Sequence, residues 1–259
     1  MEAYQMRLGT DPEVFLVDKQ GSLHSVIGHI GADKWNPLQL PDMPQGFTLQ
    51  EDNVALEFGV PPASSAEEFI AHIRAVMEKG LSRLPDTKFS KLSCTLFPDK
   101  ELEHPLAKVF GCEPDYNAYT GEANPRPEPP HPNMRSAGGH IHVETKRDPK
   151  LVVRSMDLFL GVPSVLMDTE GTERRKLYGR AGSCRFKPYG VEYRTLSNFW
   201  IFEDKYIRWV WDSTQRAVVE SEVSYLQDKA LQDDVQHCIN TGNALMAKDM
   251  VKEFGLYVC

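Results

Sequence analysis

The sequence predicts an α+β fold built on a mainly antiparallel sheet. Three observations lead there. Strand-like and helix-like stretches are mixed without the regular β-α-β alternation that parallel sheets require. The composition over 259 residues, 41% hydrophobic and 25% charged, is ordinary for a globular enzyme and fills one large domain or two small ones. No apolar run approaches the roughly 18–20 residues needed to cross a bilayer, so no membrane role is expected.

Each element has its own signal. Residues 6–17 alternate as a strand carrying Asp11 and Glu13, with Gly21 in the following turn. Val54–Val60 is a second strand, entered through Glu51-Asp52 and expected to end at Pro61-Pro62. Ser65 then opens a helix: a serine cap, the early acids Glu67 and Glu68, and Phe69, Ile73 and Met77 at helical spacing up to Gly80. Residues 89–97 read as a strand. Residues 111–137 hold Pro114, Pro125, Pro127, Pro129, Pro130 and Pro132 and read as a long ordered loop positioned to wall or cover a site, the alternative being a flexible surface excursion. Residues 149–168 form an apolar helix. Residues 171–188, rich in Arg, Lys, Gly and Tyr, read as a second site loop. From about 201 to the end the pattern is helical.

Charge and cysteine usage narrow the function classes. The net charge of −8 disfavours a nucleic-acid partner. Cys94, Cys112, Cys184, Cys238 and Cys259 are scattered, odd in number and form no C-x-x-C pair. That fits free thiols in a reducing compartment rather than a disulfide framework or a zinc knuckle. The first residues, Met-Glu-Ala-Tyr-Gln-Met-Arg, carry no apolar signal core, so a cytoplasmic protein is expected.

The chemistry concentrates in two short strings, Gly138-Gly139-His140-Ile141-His142-Val143 and Gly190-Val191-Glu192-Tyr193-Arg194-Thr195. Side chains alternate along a strand, so His140 and His142 share one face, and so do Glu192 and Arg194. Glu13 and Glu57 are further lone carboxylates in apolar runs, costly to bury unless paired or metal-bound. One glutamate on a strand is ordinarily just solvated, and one histidine ordinarily just hydrogen-bonded. Together, Glu13, Glu57, His140, His142 and Glu192 suggest a metal site, and its carboxylates favour Mg²⁺ or Mn²⁺ over zinc.

Arg174, Arg175, Arg180, Arg185 and Arg194 lie within 21 positions, interleaved with Gly179, Gly182 and Gly190. Guanidinium groups clamp phosphate or carboxylate in a fork. Arg180, Arg185 and Arg194 are the ligand candidates; Arg174 and Arg175 fit a solvated face equally well, and Arg135 is a weaker candidate. There is no G-x-x-x-x-G-K-[ST] loop, no early G-x-G-x-x-G and no G-x-S-x-G elbow. A nucleotide would have to be held through metal ions and arginines.

Four motifs taken together carry a resemblance: Gly9-Thr-Asp-Pro-Glu-Val-Phe, Gln50-Glu-Asp-Asn-Val-Ala-Leu-Glu-Phe-Gly-Val-Pro-Pro-Ala, Gly138-Gly-His-Ile-His-Val and Tyr189-Gly-Val-Glu-Tyr-Arg-Thr-Leu-Ser. In this order, over about residues 8–200, the chain resembles the phage carboxylate–amine ligases called COOH.NH2 ligase-type 2 (amidoligases). These are similar to glutamate–cysteine ligases and, more distantly, glutamine synthetases. The resemblance implies a single catalytic domain over 1–259, with a curved antiparallel funnel flanked by helices and a helical portion from about 201. It implies ATP with Mg²⁺ or Mn²⁺ as cofactors, and an amide bond formed through an acyl phosphate.

Residue by residue, it implies Glu13, Glu57 and Glu192 as metal ligands and His140 near metal and phosphate. Arg194 would contact phosphate, with Arg180 or Arg185 beside it. It places His142, Asp11, Glu51 and Asp52 less securely, His142 being taken with the metal residues. The partners it implies are a small-molecule or peptide carboxylate and an amine, in the host cytoplasm for a phage-encoded protein. Two rival classes stand beside it. One is a metal-dependent hydrolase, although amidohydrolase barrels carry H-x-H on an early strand and here it lies past the midpoint. The other is a non-catalytic phage protein that keeps the fold.

Overall fold

The computed structural model of the protein describes residues 6–108 and 114–259. Cys112 and Met1–Gln5 lie outside the described residues. The other four cysteines are free thiols.

Period-two alternation decides the architecture. The strands are β1 (Arg7–Thr10), β2 (Glu13–Asp18), β3 (Leu23–His24), β4 (Leu38–Gln39), β5 (Thr48–Asp52), β6 (Ala55–Ala63), β7 (Thr87–Ser90), β8 (Cys94–Leu96), β9 (Tyr116–Asn117), β10 (Met134–Ser136), β11 (Ile141–Glu144), β12 (Ser183–Lys187) and β13 (Gly190–Tyr193). Eleven of them form one antiparallel sheet whose main path runs β3-β2-β6-β1-β11-β13-β12-β9 without closing into a barrel, while β8 and β10 pair separately. On one face of the sheet Leu8, Val14, Leu16, Leu56, Phe58, Ile141, Val143, Cys184, Val191 and Tyr193 are buried in the main core. Their neighbours Glu13, Glu57, His142, Glu192 and Arg185 therefore share the opposite face.

Helices cover the apolar face. They are α1 (Ala66–Ser82), α2 (Pro149–Met156), α3 (Val162–Met167), α4 (Thr172–Leu177), α5 (Asp204–Glu220), α6 (Lys229–Thr241) and α7 (Ala244–Glu253). α1 begins as its sequence predicts, with the Ser65 hydroxyl accepting from the Glu68 N–H at 3.1 Å. It packs on β6 and on α5, where Phe69 meets Trp211, and Phe69 also stacks on Trp200 in the turn before α5. The predicted helix over 149–168 is present but contains a π-helical turn, Asp157–Gly161, between α2 and α3. Pro163 follows it and has no N–H to give to the residue four back, so the wider turn relieves the mismatch. Among the described residues no helix is long and apolar enough to cross a membrane.

Four elements differ from the sequence reading. The strand predicted over 6–17 is bent at Asp11-Pro12 into β1 and β2, both lying along β6. β6 runs through Pro61-Pro62 to Ala63. Its pairing with β5 stops at Gly59, so no partner on that edge needs the two missing N–H groups. The stretch 89–97 splits between β7 and β8, which belong to different sheets. Residues 171–188 are not a loop: they hold α4 and β12.

Candidate functional site

The polar face of the sheet floors a cavity of about 570 Å³. Its walls come from the β5–β6 hairpin, the kink at Asp11, the end of the proline-rich segment (Pro129, Met134–Ser136), α4 and the β12–β13 hairpin. Register sets the floor. Gln50, Glu57 and Glu13 face one another across β5, β6 and β2. Gly9, His142, Glu192 and Arg185 do the same across β1, β11, β13 and β12.

The first row yields an acidic group. Glu13, Asp52 and Glu57 each offer an oxygen, all within 4.8 Å of one another. Asp52 joins because it lies two residues from Gln50 on the same strand face. Asn53, next to it, takes a left-handed φ of 55° at the hairpin tip and donates to the Ala107 carbonyl at 3.0 Å. Burial, with the Asp52 charge beside it, pushes Glu13 up to about 7. Burial and the charges of Asp11, Asp52 and Glu13 drive Glu57 well above the carboxylate range. Burial also raises Asp52. Three crowded carboxylates that hold protons this tightly are a donor set a divalent cation would satisfy, in place of the protons.

The second row yields a charge hub. Glu192 is fully buried and meets Lys187 at 2.8 Å, Arg185 at 3.3 Å and Arg194 in a closer contact. Burial and the nearby Asp11 charge oppose its ionisation, yet Arg194, His140 and Arg185 hold it down at about 2. Three cations around one carboxylate leave positive charge over for an anion. Asp11 lies 3.2 Å from His140 Nδ1 and 3.0 Å from His142 Nε2. Burial would raise Asp11, but the two imidazoles hold it well below its usual range. Asp11, His142 and Glu192 also offer donor atoms within 4.8 Å of one another. His142 Nδ1 is in close contact with the Tyr189 hydroxyl.

The two glycines before His140 are needed sterically. A Cβ on Gly138 would stand 2.3 Å from His140 Nε2, and one on Gly139 would stand 2.3 Å from the Ser197 carbonyl. The Gly138 N–H donates to Glu13 at 2.7 Å, tying this turn to the acidic group. Burial and the Arg194 guanidinium push His140 down to about 4, so its imidazole is neutral at pH 7.

The predicted residues thus divide. Glu13 and Glu57 sit in the acidic group, His142 and Glu192 in the hub, and Arg185 and Arg194 beside it. His140 lines the cavity but belongs to neither donor group. Arg180 is not brought to the cavity: it is exposed and donates to the Lys176 carbonyl at the end of α4. Arg174 and Arg175 are buried rather than a solvated face. Arg174 lines the cavity and donates to the Thr195 and Arg194 carbonyls at 2.9 and 3.1 Å. Arg175 braces the Ser164 and Asp168 carbonyls. Arg135 also lines the cavity, but its guanidinium donates to the Ala107, Pro132 and Met134 carbonyls.

Sequence reasoning missed Lys187 and Asp157 and gave Glu51 no role. Lys187 could have been found from the alternation that places it with Arg185. Glu51 accepts the N–H groups of Gly28, Ile30 and Gly31 at 3.0, 2.7 and 2.9 Å, clamping a loop at the cavity mouth. Asp157, in the π turn, accepts from Tyr193, Thr195 and the Gly182 N–H at 2.8, 3.1 and 2.6 Å, anchoring β13 from behind. Burial pushes it up to about 7. Neither of these last two had a local sequence signal.

Strands β11, β12 and β13, with α4, all fall within one stretch recognisable by comparison. Residues 130–254 match the family described as Phage phiEco32-like COOH.NH2 ligase-type 2. The match supports the resemblance through the motifs at Gly138 and Tyr189, which it contains; the motifs at Gly9 and Gln50 lie outside it. It takes in His140, His142, Arg174, Arg185, Glu192 and Arg194. The strands that supply Asp11, Glu13, Asp52 and Glu57 lie N-terminal to the matched stretch, and the sheet brings them to it. No curated protein matches the chain.

Proposed function

We propose that the protein is a ligase that uses ATP and Mg²⁺ or Mn²⁺ to join a carboxylate to an amine through an acyl phosphate. One observation carries the reading. An acidic group suited to a divalent cation and a cation-rich hub suited to a polyanion share a single cavity. A metal-bound nucleoside triphosphate needs both at once. The family described for residues 130–254 names the bond that is made. The whole chain would act as one catalytic unit, with its sheet as the funnel of the glutamine synthetase and glutamate–cysteine ligase type.

Glu13, Asp52 and Glu57 would hold the principal cation, with Asp11, His142 and Glu192 as a second donor set. A cation there neutralises phosphate charge and orients the chain of phosphates. Arg194, Arg185 and Lys187 bind the γ-phosphoryl group. An oxygen of the substrate carboxylate attacks its phosphorus. The new O–P bond forms as the bond to the bridging oxygen breaks, and ADP leaves. The amine nitrogen then attacks the acyl carbon, the C–N bond forms, the C–O bond to phosphate breaks, and the surplus proton leaves with the phosphate. Arg194 stabilises charge in the transferring group. The mouth loops limit access of water to the acyl phosphate.

The test is ADP release with Mg²⁺ and ATP against pools of amino acids, polyamines and host-cell extract, with Glu57→Gln as control. Release that depends on the pool and vanishes in the variant is expected. A protein that binds no nucleotide in the presence of either metal would return the hydrolase and the non-catalytic protein to the front.

A further inference from the structure

One aromatic side chain is presented in a way that packing does not explain. Trp35 is 80% exposed and lines the cavity mouth, whereas Trp200, Trp209 and Trp211 are buried. Its backbone is held firmly. Asp33 Oδ1 accepts from the Trp35 and Asn36 N–H groups at 2.9 and 3.0 Å, and the Asn36 N–H also reaches the Asp33 carbonyl at 3.1 Å. This is an Asx turn with the indole at its tip. The preceding residues are fixed by the Glu51 clamp, and the Ala32 carbonyl accepts from the Glu51 N–H at 2.8 Å. A fixed turn that holds an indole in water at a cavity rim is built to meet something.

We infer that Trp35 is a stacking platform for the nucleobase of the nucleotide, a reading that rests on the function proposed above. Lys34 Nζ stands 4.6 Å from the indole centroid, so one flank of the ring already has its cation. Beside the exposed indole, the rim offers Lys34 as a cation on the way into the cavity. A neutral planar base with a polyanionic tail suits it: the base lies on Trp35, and the phosphates pass Lys34 towards Arg194, Arg185 and Lys187 inside the same cavity.

The protein reports on this itself, since Trp35 is the tryptophan that acrylamide reaches. Mg·ATP titrated into the whole chain should quench the exposed emission and shield it from acrylamide. Trp35→Ala should raise the Kd for Mg·ATP about ten-fold or more, while Trp35→Tyr keeps most of the affinity. Mg·tripolyphosphate, which has no base, should bind both proteins alike. Equal Mg·ATP affinity in the Ala variant and the parent would overturn the platform and leave the proposed function standing. A Trp35→Ala loss of tripolyphosphate binding equal to its loss of ATP binding would also overturn it, by making the effect one of loop integrity. Failure of Mg·ATP to bind the parent would overturn both readings.

Discussion

At the scale of single residues, the arginines show how far identity and role separate. Arg174 and Arg180 lie six positions apart, yet one braces the cavity wall and the other caps a helix in solvent. Arg174→Met would leave the Arg194 and Thr195 carbonyls unpaired in the interior, a loss of about 3 kcal/mol measured by urea unfolding. Arg180→Ala should stay within about 0.5 kcal/mol of the parent and turn over normally. A clear loss of activity in Arg180→Ala would restore it to the site. The protonation of Glu13 gives a second prediction. Its ordinary value is 4.5 and its folded value about 7, so between these pH values the folded protein holds a proton the unfolded chain has lost. The metal-free protein should therefore lose stability as pH rises from about 4.5 to 7. A cation must displace that proton, so the Mn²⁺-induced rise in Tm should grow from pH 6 to pH 8. A shift independent of pH would mean the cation binds elsewhere.

At the scale of elements, the site is built from strand alternation, and the loops are fixed by carboxylates. The single Glu51 side chain satisfies three N–H groups of one loop, and its own strand neighbours Gln50 and Asp52 face the cavity. Glu51→Gln keeps the shape but gives up the charge and one acceptor oxygen. Hydrogen exchange at Gly28, Ile30 and Gly31 should then rise at least several-fold, with the sheet amides unchanged. Unchanged protection at those three amides would show that the loop holds itself. The π turn serves β13 in the same manner, since Asp157 grips Tyr193 and Thr195 on the side away from Glu192 and Arg194.

At the scale of the molecule, β1 is the seam. It pairs with β6 on one side and β11 on the other, so it joins the strands that supply the acidic group to those that supply the hub. A chain cut to residues 130–254, the stretch the family describes, would keep the arginines and histidines and lose Asp11, Glu13, Asp52 and Glu57. It would also bare the edge of β11 that β1 covers. Such a fragment should aggregate on size-exclusion chromatography. A monomeric fragment with a cooperative unfolding transition would show that the seam is dispensable for folding.

Local pattern alone determined much of this protein. Alternation put Glu192 and Arg194 on one face and Tyr193 on the other, and Ser65 with Glu67 and Glu68 marked the start of α1, because those features depend only on near neighbours along the chain. The motifs around Glu13, Glu57, His140 and Glu192 were legible for the same reason. Tertiary structure decided the rest. It set Asp52 against Glu13 and Glu57 through a hairpin register, and it set Asp11 between two imidazoles through a kink at Pro12. It turned Arg174 inward, sent Arg180 outward, and wrapped three cations round Glu192. Those roles depend on which strands become neighbours and how deeply each charge is buried. Both are set by the closing of the whole sheet, not by any local run of residues.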